Sequence, residues 1–147
     1  MILCKTLSCD LPLTIDTKNW FHIAIRDYNL NEISYDEFGK LKYIDSGAFG
    51  NVYWTSCKSI QNEKVAAKEI HIPEEDDEKK IRMFLNELKL HCQVSHPRII
   101  QFYGISNDYR REAYFILMEY AEGGTLRKYL KTAKLSWKKK VELAIQM

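Results

Sequence analysis

A chain of 147 residues, 46% apolar, with 22 basic against 20 acidic residues, has material for one ordinary globular core and a formal net charge of only +2. That balance sets up no field that would make nucleic acid or a membrane surface the principal partner, and no apolar run approaches the ~18 residues of a membrane-crossing helix. Cys4, Cys9, Cys57 and Cys92 are spaced for neither a paired zinc site nor a dense disulfide framework, so they read as reduced thiols and point to the cytoplasm. The apolar start, Met1 to Cys9, is too short for the central region of a signal peptide and has no basic leader.

Residues 1–34 show no sustained period and read as an extension. Within it, Trp20, Phe21, Ile23 and Ile25 fit either a helix or strand docked on the domain or a partly ordered arm. From Lys40 the texture changes to short runs rich in Tyr, Val, Ile and Trp, broken by Gly, Ser and Asn, which predicts antiparallel strands near 41–46, 51–57 and 64–70. Pro73 and the acids from Glu74 to Glu78 suit a helix N-terminus, whose free N–H groups carry partial positive charge. Ile81, Phe84, Leu85, Leu88 and Cys92 then recur at three- and four-residue steps, so a helix is expected from Asp76 to Val94, stopped at Ser95-His96-Pro97. Strands near 100–106 and 113–119, joined by the polar turn Asn107 to Glu112, come next. Gly123-Gly124 opens a short helical pattern (Leu126, Tyr129, Leu130), and Ser136 caps a last one with Trp137, Val141, Ala144 and Ile145 on one stripe.

Several segments carry chemistry. Ile44-Asp45-Ser46-Gly47-Ala48-Phe49-Gly50-Asn51-Val52 places two glycines in a hairpin, where missing side chains let backbone N–H groups approach a phosphate. By itself such a pair is an ordinary turn. Val65-Ala66-Ala67-Lys68 follows on the third strand, Glu87 lies nineteen positions later in the helix, and then come His96-Pro97-Arg98-Ile99-Ile100 and Phe115 to Leu126.

In this order the segments resemble the protein kinase superfamily, over roughly residues 40–147, and are most similar to its tyrosine-kinase-like serine/threonine branch. The resemblance implies an α+β fold, the kinase small lobe: a five-stranded, mainly antiparallel sheet with one large helix, followed by a hinge and the first helices of an incomplete large lobe. It divides the chain into the extension 1–34 and a kinase domain 35–147, with the small lobe at 40–120, the hinge at 118–124 and the start of the large lobe at 125–147. ATP is the implied ligand. Asp45, Ser46, Gly47, Ala48, Phe49 and Gly50 would cover its phosphates, and Lys68, held by Glu87, would reach the α- and β-phosphates. Ile44, Val52 and Ala66 would form the lid over adenine, Met118 the gatekeeper, and the Glu119 carbonyl and Ala121 amide the hinge contacts. Thr125 would lie near the ribose.

Two positions depart from the pattern. Asp45 stands where the family has its first loop glycine, and its carboxylate either repels phosphate or points to solvent; His91 takes a helix position that is usually apolar. The family's His-Arg-Asp loop with its asparagine, Asp-Phe-Gly and Ala-Pro-Glu do not occur in these residues. They supply the base and the magnesium ligands, so no catalytic or metal residue is expected here, magnesium belongs to the complete enzyme, and the chain by itself is expected to be inactive. Two functions remain open. One is the ATP-binding part of a serine/threonine kinase in signal transduction. The other is a non-enzymatic regulatory module that binds another kinase or a large-lobe partner.

Overall fold

The computed structural model describes residues 19–47, 50–61, 64–70 and 78–146. Five strands form one sheet: β1 (Lys42–Gly47), β2 (Gly50–Thr55), β3 (Val65–Ile70), β4 (Phe102–Asp108) and β5 (Ala113–Glu119). Their spatial order is β1-β2-β3-β5-β4, and all four pairings are antiparallel. The helices are α1 (Trp20–Tyr28), α2 (Glu78–Gln93), α3 (Leu126–Thr132) and α4 (Trp137–Gln146). This is the α+β small lobe that the sequence predicts, with strand ends shifted by at most about two residues, as hydrogen bonding rather than composition sets them. The acidic run expected to open α2 lies outside the described residues as far as Asp77.

Strand β5 reads as the apolar run Ala113-Tyr114-Phe115-Ile116-Leu117-Met118 because it sits between β3 and β4 and is packed on both faces. Since paired residues of antiparallel strands share a face, Val52, Lys68 and Ile116 lie on one side, and Tyr53, Ala67 and Leu117 on the other. Two cores result. The first joins Ile70, Ile105 and Ile116 of the sheet to Ile81, Leu85 and Leu88 of α2 and to Trp20, Phe21 and Ala24 of α1. The second joins Val65, Ala67, Phe115 and Leu117 to Ile33 and Cys57, with Tyr35, Phe38 and Leu41 packed against it. Each fully buried Leu or Phe contributes about 1.5–3 kcal/mol of transfer free energy.

The docked-helix alternative holds for residues 20–25. Helix α1 buries Trp20, Phe21 and Ala24, and ends where Asn29 turns left-handed at φ 50°, a conformation its short polar side chain tolerates. The chain then runs along the outer edge of β4: Ile105 N–H donates to the Asn31 carbonyl and Ile33 N–H to the Ile105 carbonyl, each at 2.9 Å. Glycine is required at 104, because a Cβ there would come within 2.3 Å of the Asn31 carbonyl oxygen. Past this strap, a 3₁₀ turn at Tyr35–Glu37 leads residues 35–41 under the second face. The strap covers an edge that would otherwise present unpaired backbone groups.

Candidate functional site

On the first face α1 and α2 cover the sheet around Ile70, Ile105 and Ile116, and a half-covered strip remains between the β1–β2 hairpin and the hinge. Its floor is set by register. Val52 pairs with Lys68 on β3, and Ala66 pairs with Met118 on β5. Ala66 is buried, whereas Val52, Lys68 and Met118 are half-buried. A methyl at Ala66 leaves the strip flat beside Met118, which packs against the first core.

The hairpin forms one wall. Gly47 pairs with Gly50, and Gly50 has φ 132°, a backbone conformation that disfavours any side chain. Between Tyr43 and Asp45 the register slips by one residue, so Ile44 and Asp45 together oppose Val52 in a bulge that bends β1. Ile44 is 41% exposed. Ser46 is exposed beside Gly47. Asp45 is exposed too, and its carboxylate accepts the Ser46 N–H at 2.9 Å, which turns part of its charge into the local turn. Ala48 and Phe49 lie outside the described residues.

At the hinge, the Glu119 N–H donates to the Gln101 carbonyl at 2.8 Å and the Glu119 carboxylate accepts the Gln101 N–H at 3.2 Å, so the strand end is tied from both sides. Ala121 is exposed, and its carbonyl accepts the Gly124 N–H at 3.1 Å to close the turn into α3. The Thr125 hydroxyl accepts the Lys128 N–H at 3.2 Å as the N-cap of α3. Position 87 belongs to the stretch of α2 between Leu85 and Leu88, both fully buried, but the Glu87 side chain lies outside the described set. His91 is half-buried at the end of α2, and its Nε2 lies 3.2 Å from the Ile100 carbonyl, which links the helix to the segment entering β4.

Several flanking residues escaped the sequence reading. Trp54 lies on the same face as Ala66, its ring 6.5 Å from that of Tyr120, and Lys42 Nζ sits 4.2 Å over the Trp54 ring. Lys64 reaches Glu122 at 3.2 Å across the hinge, and the exposure of that pair limits it to a small energetic role. The signal was present in alternation, since Trp54 is two positions after Val52. A separate hollow of about 640 Å³ lies between the strap and the β4–β5 turn, away from the hinge. Within it Arg111 donates to Asp108 at 2.6 Å and to the Tyr35 hydroxyl at 2.5 Å. Burial alone would raise the Asp108 pKa, but the hydrogen bonds from Arg111 and the Arg110 N–H outweigh it and hold the carboxyl below its usual range.

The model of the family described as protein tyrosine and serine/threonine kinase matches residues 39–147. A probable serine/threonine-protein kinase of Dictyostelium discoideum is 35% identical over 119 residues, covering 76% of this chain and 12% of that protein. Mitogen-activated protein kinase kinase kinase 4 of Homo sapiens is 31% identical over 119 residues, 80% of this chain and 7% of its own length. Mitogen-activated protein kinase kinase kinase 3 of Arabidopsis thaliana is 30% identical over 106 residues, 71% and 17% respectively. The chain therefore spans less than a fifth of the length of each of these relatives.

Proposed function

The chain belongs to the protein tyrosine and serine/threonine kinase family, and from that premise we propose that its half-covered strip is the ATP site of a kinase that phosphorylates protein serine or threonine. One observation carries the reading: strand register brings Val52 beside Lys68 and Ala66 beside Met118 on a single face, bounded by the glycine hairpin and the hinge. Adenine would lie between Ile44, Val52 and Ala66, with Glu119 and Ala121 offering backbone groups to its edge and Thr125 near the ribose. The backbone from Asp45 to Gly50 would cover the phosphates. Lys68 would meet their charge, and Glu87 would hold the lysine in place. Gly50 fits this role because its conformation already excludes a side chain that would stand between backbone and ligand.

Binding and chemistry are separable in this reading. No His-Arg-Asp or Asp-Phe-Gly segment occurs in these 147 residues, so the base and the magnesium ligands of the complete enzyme are not among them. The isolated chain is expected to bind ATP without transferring its phosphate. Signal transduction in the cytoplasm is the proposed setting; the relatives' names and the free thiols Cys57 and Cys92 support it. Among the described residues no helix is long and apolar enough to cross a membrane.

The test is the thermal midpoint of the chain with increasing ATP, with and without magnesium, beside Lys68→Met, because a ligand of the folded state must raise it. A rise that shrinks in the variant is expected; no rise from a folded chain would contradict ATP binding. A second reading, a regulatory module docking on another kinase, is supported by the exposed apolar residues of α3 and α4, among them Leu130, Trp137 (79% exposed) and Ile145 (75%). Gel filtration of the chain with a kinase partner discriminates: co-elution supports the module, and separate elution removes it.

A further inference from the structure

Helix α1 lies wholly before the residues that match the family, yet it is wedged between two parts of the lobe. The Trp20 ring meets Phe84 of α2 edge-on at 5.5 Å and 89°, and Tyr114 of β5 at 4.8 Å. One side chain, 2% exposed, therefore touches both the helix and the sheet. Phe84 is three residues before Glu87. At the other end of α1, Lys89 Nζ lies 6.0 Å over the Tyr28 ring, so α1 contacts α2 on either side of position 87. Only Asn29 and Leu30 separate α1 from the strap, whose backbone is bonded to β4 and whose approach depends on Gly104. The wedge is held at a fixed place against the sheet while it presses on the helix.

Position 87 is on α2 and position 68 on β3, so the spacing of the helix from the sheet also sets the spacing of these two backbone positions. We propose that Trp20 is a positioning residue that sets the spacing of α2 from the sheet, and through it the approach of Glu87 to Lys68 on which the nucleotide site depends. The inference rests on the ATP-site reading. It differs from a plain packing role because damage to the second core, on the opposite face, would lower stability without moving α2.

The experiment uses the full 147-residue chain in four forms: wild type, Trp20→Ala, Trp20→Phe, and Phe115→Leu in the second core. Amide hydrogen exchange without nucleotide reports the spacing role, and the ATP dissociation constant, measured well below each thermal midpoint, reports its consequence. Trp20→Ala is expected to speed exchange along α2 more than along the β3–β5 ladder and to weaken ATP roughly two- to thirtyfold, the range of coupling through packed side chains. Trp20→Phe, which keeps an aromatic ring, should recover most of both, and Phe115→Leu should lower the midpoint while leaving α2 selectivity and ATP affinity near wild type. Should Trp20→Ala fail to fold, Trp20→Leu keeps the burial, gives up the ring contacts and carries the same test. Uniform acceleration of α2 and the ladder, or an ATP affinity unchanged when α2 exchange has risen, would overturn the inference. Failure of the wild type to bind ATP is a separate result: it would overturn the nucleotide reading, while the exchange pattern would still decide the spacing role.

Discussion

On the face that carries Lys68, α1 and α2 cover the sheet around Ile70, Ile105 and Ile116 and leave Val52, Lys68 and Met118 half-buried toward the hinge. On the opposite face Val65, Ala67, Phe115 and Leu117 are fully buried beneath residues 33–41, and at the margin Arg111 donates to both Asp108 and the Tyr35 hydroxyl. One sheet thus has a closed side, which supplies stability, and a side closed only in part, where a ligand can complete the burial. The difference originates in what the chain lays over each face. The helix pair α1 and α2 leaves a strip uncovered, whereas Ile33 and the residues 35–41 that follow the strap cover the second core.

Breaking the closed face should cost most. Leu117→Ala empties a fully buried position at the centre of the second core and is expected to destabilise by about 2–5 kcal/mol, read as a fall in chemical-denaturation midpoint with an unchanged slope. Leu85→Ala, equally buried under the other face, should cost a similar amount but also loosen α2, which sharpens the comparison. Next in size is Gly104→Ala. The added methyl would meet the Asn31 carbonyl and push the strap from β4, at about 1–3 kcal/mol, and limited proteolysis should cut residues 29–34 faster than in wild type.

Acid should act on the closed face more gently. The Asp108 pKa is depressed in the folded chain, so its contribution is present above the unfolded carboxyl value of about 3.9 and is lost as pH falls through the folded value. A thermal midpoint followed downward from pH 7 should therefore drop below about pH 4, and Asp108→Asn should flatten that part of the drop while lowering stability at neutral pH. Smallest on stability, and largest on ligand response, is Lys68→Met. Its place on the open strip predicts a smaller loss of stability than the core changes above and a much reduced rise of the thermal midpoint with ATP.

Much of this was legible in the sequence, for physical reasons that differ by region. The β3, β5 and α2 residues announce themselves because burial on two faces or on one helical stripe imposes a period, and the site positions Ala66, Lys68 and Met118 fall on those elements. Helix α1 stays ambiguous in the sequence because nine residues with three buried ones make too short a pattern to separate a helix from an arm. The strap was invisible for a different cause. Its bonds join Asn31 and Ile33 to Ile105, more than seventy positions away, and local pattern says nothing about such pairing. The need for glycine at 104 is likewise set by the distant Asn31 carbonyl, not by its neighbours in sequence. Trp54 and Tyr120 meet only through the β2–β3–β5 register, which no local pattern reveals.

The most direct test of an ATP site on the open face is hydrogen exchange of the 147-residue chain resolved by residue, with and without saturating ATP. Slowed exchange is expected at the hairpin from Asp45 to Val52 and at Ala121 in the hinge, with little change at Val65, Ala67 and Leu117 on the closed face. Unchanged exchange at both the hairpin and Ala121 under saturating ATP would contradict it.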